Sequence, residues 1–206
     1  MSTHDESSPF FYLASQTVVL FLDYHSLFVK HINANAAASK AIDLKVWAKS
    51  KDITVAHAII DDTKDNDPPA NIKGRESMFK LLNALRSDKS AWEEPVGIAP
   101  ESEHEAVFSR RPGFVSALTS DKPEDIATWL KDRGHKSLVL CGLSTSGCTL
   151  RTATHATDLG FVVSVIGDAC ADRSEEIHRV VLDTILPTRA HIFTLEEFKE
   201  AWRNGT

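Results

Sequence analysis

The chain has 206 residues, 42% hydrophobic and 25% charged, with a formal net charge of −6. That is an ordinary soluble composition, long enough to bury one core. The acidity argues against nucleic-acid binding, which needs clustered Lys and Arg to neutralise phosphates. No apolar run approaches the roughly 20 residues needed to cross a bilayer.

Residues 1 to 15 begin Met1-Ser-Thr-His-Asp-Glu-Ser-Ser8, polar and acidic, and read as a flexible tail rather than a secretory signal. One domain is expected over 16–206. Thr17 to Leu22 is a continuous apolar run ending at Asp23, the pattern of a strand buried on both faces of a parallel sheet. Ser26 to about Lys51 lacks Gly and Pro and reads as one long helix. Ile53 to Ile60 is a second strand, and Asp61 to Gly74 a polar loop. Arg75 to Ser87 carries Met78, Leu81, Leu82 and Leu85 on one side of a helix. Pro and Gly make 91–102 irregular, and Glu105 to Ser109 is a short strand. Lys122-Pro-Glu-Asp starts a helix that runs to Arg133.

Ser137 to Leu140 is the next buried strand. It ends in the small residues Gly142 to Gly147, and a helix is expected from about Cys148. A strand at Phe161 to Gly167, a helix at Ser174 to Leu186, a strand at Ala190 to Phe193 and a helix from Leu195 to Trp202 complete the chain. Strands alternating with helices imply an α/β fold with a parallel sheet and right-handed crossovers. Ligands in such sheets bind beyond the carboxyl ends of the strands, where Asp23 and Cys148 both fall.

A thiol at the first turn of a helix is favoured as thiolate by unpaired amides and the helix dipole, and those amides can hold an oxyanion. A small buried hydrophobe is the alternative reading of Cys148. The other cysteines, Cys141 and Cys170, form no CxxC pair, so an odd count of three points to a reducing, cytoplasmic compartment. The nine histidines are scattered singly, and no metal site or cofactor is expected.

Several segments together carry a family resemblance. They are Val-Leu-Phe-Leu-Asp23, Gly142-Leu-Ser-Thr-Ser-Gly-Cys148, Thr154-His-Ala-Thr-Asp-Leu-Gly160 with Phe-Val-Val after it, and Gly167-Asp-Ala-Cys-Ala-Asp172. From about residue 16 to 198 the chain resembles the isochorismatase-like cysteine hydrolases. The resemblance implies a three-layer α/β/α fold with a six-stranded parallel sheet, Rossmann-like, and an Asp-Lys-Cys triad. Asp23 would be the base and then the acid, and Cys148 the nucleophile. It also implies a cis peptide at Leu143-Ser144, and an oxyanion hole from the amides of Ser144 and Cys148.

The family's Lys is not matched. In Ser109-Arg-Arg-Pro-Gly-Phe-Val-Ser-Ala117 the Ser116-Ala117 pair sets the register, so the Lys slot falls at Arg111, with Arg110 as the alternative. An Arg can stabilise a thiolate but cannot shuttle a proton. The Asp-x-His metal element of nicotinamidases is also missing from Ile60-Asp-Asp-Thr-Lys-Asp-Asn-Asp67. His25, two residues past Asp23, is expected to bond Asp23 or substrate, and Phe28 and Trp92 to line the pocket. The expected activity is hydrolysis of a small amide or related acyl compound. Vinyl-ether hydrolysis, or a weakly active or inactive binding member, are the alternatives. A small-molecule partner and a homo-oligomer are expected, with no nucleic acid and no membrane.

Overall fold

A computed structural model describes residues 5–60, 67–86, 88–119 and 125–205. Six strands form one wholly parallel sheet in the order β3-β2-β1-β4-β5-β6. They are β1 (Thr17–Leu22), β2 (Thr54–Ile60), β3 (Ala106–Arg110), β4 (Ser137–Gly142), β5 (Val162–Ile166) and β6 (His191–Phe193). Every residue of β1 and β4 is buried, as expected of central strands covered on both faces. Leu22 pairs with Ala58 on one side and Gly142 on the other. Chain reversal lies between β1 and β4, so the residues after these two strands flank the switch point.

The helices are α1 (Ser26–His31), α2 (Asn35–Ser50), α3 (Arg75–Arg86), α4 (Lys89–Trp92), α5 (Ile126–Asp132), α6 (Leu150–Asp158), α7 (Glu175–Val180) and α8 (Leu195–Gly205). On one face α2 packs against α8, with Trp47 set edge-on to Phe198 and Trp202. Phe108, next to Val107 that pairs with His57, points to the other face and meets Trp129 of α5. None of the helices among the described residues is long and apolar enough to cross a membrane.

Three expectations are corrected. The helix read as continuous from Ser26 is broken into α1 and α2, with Asn33 at φ 55°, a left-handed conformation that Asn tolerates better than most side chains. Residues 5–15 are not a loose tail. They form two short 3-10 turns, and Phe10 packs on Phe193 and Phe198. The α-helix does not begin at Cys148: residues Thr145–Thr149 make a π-turn, and α6 starts directly after it, at Leu150. The expected helix start at Lys122 lies outside the described residues, and Asp125 caps α5 by accepting from the Thr128 amide.

A buried ion cluster fixes the approach to β3. The fully buried Lys45 ammonium of α2 donates to the carbonyls of Ile98 (2.9 Å) and Ala99 (2.6 Å) and lies 2.8 Å from Glu105. His57 stands between Glu94 (2.9 Å) and Glu105 (3.4 Å). Burial alone would raise the Glu105 pKa, but hydrogen bonds from Lys45 and Lys49 outweigh it and bring the carboxyl down to about 2. β3 starts at the next residue, so this cluster sets the strand that ends in Arg110.

Candidate active site

Asp23 follows β1 directly. Its φ of 54° is left-handed, a conformation in which Asp is tolerated, and its amide donates to Ala58 O at 3.0 Å. The carboxylate is buried and receives both arms of one guanidinium. Arg110 Nη1 donates to Oδ1 at 2.9 Å and Nη2 to Oδ2 at 2.5 Å. Arg110 Nε donates to Phe114 O at 2.7 Å, so the guanidinium is held on its remaining edge as well. Burial acts to lower the Arg110 pKa, and the Asp23 charge and hydrogen bonds outweigh it, leaving the group firmly cationic.

The slot expected for Arg111 is therefore occupied by Arg110. Arg110 is the last residue of β3 and shares a face with Phe108. Arg111 leaves the strand in another direction, and its Nε donates to Asp67 O at 2.7 Å. The physical reason is strand alternation, which a shift of one residue inverts.

Cys148 is 3% exposed inside the π-turn. Its thiol donates to Leu143 O at 3.2 Å. Burial pushes the thiol pKa well up, and the Asp23 charge adds to this while Arg110 opposes it. Burial and the Asp23 charge thus favour the thiol over the thiolate expected for a helix N-terminus, and a π-turn rather than the first turn of an α-helix surrounds the sulfur.

That turn is tied down on several sides. Its Thr145 amide donates to Ala171 O (2.9 Å), the Ser146 amide to Asp172 Oδ2 (2.7 Å) and the Thr149 amide to Ser144 O (3.3 Å). The Thr145 hydroxyl and His178 Nδ1 are 2.8 Å apart. The Leu143-Ser144 peptide is cis.

Asp23, Arg110, Ser144 and Cys148 line one cavity of about 490 Å³, with Phe28 in its wall. His25 and Trp92 do not line it. The Ile60 amide donates to His25 Nε2 at 3.3 Å, so the ring proton lies on Nδ1 and is given to Trp92 O at 2.6 Å. Both ring nitrogens are thus engaged with backbone, and His25 holds the end of β2 to the α4 segment. Trp92 is buried in a small cluster with Leu82, Ile60 and Met78. Of the three residues expected to meet substrate, Phe28 lines the cavity that holds Asp23 and Cys148, whereas His25 and Trp92 do not. The wall instead includes Met78 and Leu82 of α3, and Phe114. The helical stripe containing Met78 and Leu82 was visible in the sequence, but a stripe of that kind ordinarily marks core.

Among the described residues no three His, Cys, Asp or Glu side chains converge as a metal ligand set, and residues 61–66 lie outside them.

Residues 17–197 match the family model for the isochorismatase domain. Over 110 residues the chain is 31% identical to the uncharacterised isochorismatase family protein YecD of Escherichia coli O157:H7, spanning 53% of this chain and 55% of that protein. Its fold is like that of a cysteine hydrolase from Pseudomonas syringae pv. phaseolicola, with TM-score 0.78 and 15% identity over 95% of this chain and 96% of that one. It is also like a zinc-complexed pyrazinamidase of Pyrococcus horikoshii, with TM-score 0.65 and 17% identity over 87% of this chain and 99% of that one. The match to the domain model covers the whole sheet together with Asp23, Arg110 and Cys148, and the chain belongs to the isochorismatase family.

Proposed function

We propose that the protein is a cysteine hydrolase of small amides or related acyl compounds, with Cys148 as nucleophile and Asp23 as base. The observation that carries this reading is the convergence of a buried thiol and a buried, arginine-paired carboxylate on one cavity.

A thiol whose pKa lies well above neutrality must lose its proton as it attacks. Each carboxylate oxygen of Asp23 accepts one guanidinium N–H, and such an oxygen has a second lone-pair site. Asp23 can therefore take the Cys148 proton while still held by Arg110. The sulfur bonds to the acyl carbon, and the carbonyl oxygen gathers negative charge that the amides of Ser144 and Cys148 would accept. Collapse breaks the C–N bond, and the proton on Asp23 passes to the leaving nitrogen. Water then attacks the thioester with Asp23 as base, releasing the carboxylic acid and restoring the thiol. Arg110 exchanges no proton. It holds the carboxylate in place and opposes the rise of the thiol pKa.

Vinyl-ether cleavage with Asp23 as general acid is a second reading, and the burial of the Cys148 sulfur, which raises its thiol pKa, is on its side. Ammonia release from an amide panel tests the proposal. Loss of release in both Cys148→Ala and Asp23→Asn is expected. Undiminished release in Cys148→Ala would rule out the nucleophile.

A further inference from the structure

The two buried charges in the cavity wall are already paired: Asp23 and Arg110 neutralise each other across two hydrogen bonds. Asp172 keeps its charge, and its oxygens accept from the amides of Ser146 and Arg173. The rest of the wall around the thiol is mostly carbon: Phe28 of α1 and Ile32 just after it, Met78 and Leu82 of α3, Phe114 and Leu143, with the hydroxyls of Ser144 and Ser146. The other lining cation, Arg173, is exposed, where an ion needs no counter-ion from the ligand. At about 490 Å³ the cavity falls within the range of sites for drug-sized organic ligands.

An acyl group joined to the Cys148 sulfur must lie within these walls. An anionic acyl group would exchange water for carbon with no unpaired buried cation beside it, and a cationic one would meet only Asp172, whose oxygens already accept from two amides, so either is unfavourable. A hydrocarbon group would gain from every methylene withdrawn from water. We propose, on the basis of the hydrolase reading, that the substrates are carboxamides with an uncharged hydrocarbon acyl group, aryl-alkyl or branched alkyl. The α3 face of Met78 and Leu82 selects its length. The bond broken is the amide C–N, the proton reaching nitrogen comes from Asp23, and the products are a hydrophobic carboxylic acid and ammonia or a small amine.

The test is kcat/KM for ammonia release from acetamide, butanamide, hexanamide and 3-phenylpropanamide, with pyrazinamide and the anionic succinamate for comparison. A rise of about fourfold per methylene up to hexanamide is expected. 3-Phenylpropanamide should exceed pyrazinamide, and succinamate should fall below butanamide. In the Met78→Ala/Leu82→Ala double variant, the hexanamide-to-acetamide ratio should drop towards one. Acylation of Cys148 by p-nitrophenyl acetate is read alongside. If the ester acylates Cys148 but the chain-length slope is flat, or if succinamate or pyrazinamide is preferred, the substrate class is overturned and the hydrolase reading stands. If no ester acylates Cys148 and no amide releases ammonia, both are overturned.

Discussion

Replacing Arg110 by Met keeps the bulk of the side chain and removes its charge. The Asp23 carboxylate, 3% exposed, then loses two hydrogen bonds and its only ion-pair partner among the described residues. Removing one member of a buried pair typically costs about 3–5 kcal/mol, because the survivor is left desolvated and uncompensated. For a domain of this size each kcal/mol moves the midpoint by about 2–4 °C, so Arg110→Met should lower Tm by roughly 6–20 °C. Adding Asp23→Asn should recover most of that loss, since a neutral amide needs no cation. Arg111→Met, which surrenders one hydrogen bond to the Asp67 carbonyl, should cost only about 1 kcal/mol. Thermal unfolding followed by circular dichroism reads all three. A Tm for Arg110→Met within about 2 °C of the parent, or equal losses in Arg110→Met and Arg111→Met, would refute the assignment of the buried pair.

Alkylation of Cys148 by iodoacetamide, followed by peptide mass spectrometry, should be slow at pH 7 and still climbing beyond the ordinary cysteine range, because burial and Asp23 hold the thiol up; a neutral midpoint would contradict this. The Glu105 pKa of about 2 lies below its ordinary value of 4.5, so the carboxylate stabilises the fold above about pH 4.5 and this contribution disappears as the pH falls through 2. Glu105→Gln should therefore flatten the loss of stability between pH 5 and pH 2, and an unchanged acid profile would count against the Lys45–Glu105 cluster. At Gly142 an added Cβ would sit 2.5 Å from Leu22 Cβ and 2.8 Å from Leu22 O, so Gly142→Ala should destabilise by about 1–3 kcal/mol in urea titration. A neutral result there would mean the β1–β4 contact is looser than described.

Much of this was legible in the sequence, for identifiable reasons. Continuous apolar runs such as Thr17–Leu22 can be little other than parallel strands, and Asp23 and the Cys148 turn follow two of them. Arg110 was harder, because register near the end of a short edge strand rests on one residue of alternation. Phe108, two residues earlier and apolar, carried the parity that separates Arg110 from Arg111. The break at Asn33 was hidden because an Asn in left-handed conformation looks like any polar residue in a helical stretch. The thiol state could not be read from chain position, because it depends on burial that only the packed turn reveals. His25 sat near Asp23 in sequence, yet its two nitrogens are fixed by Ile60 and Trp92, partners 35 and 67 positions away.

Covalent capture asks whether Cys148 is the nucleophile. The protein is mixed with p-nitrophenyl hexanoate, quenched in acid and weighed intact, and the adduct is mapped by peptide. The account predicts one hexanoyl group on Cys148, removed by hydroxylamine, absent from Cys148→Ala, and slower to form in Asp23→Asn. An unmodified Cys148 in a protein that still releases ammonia from amides would contradict it.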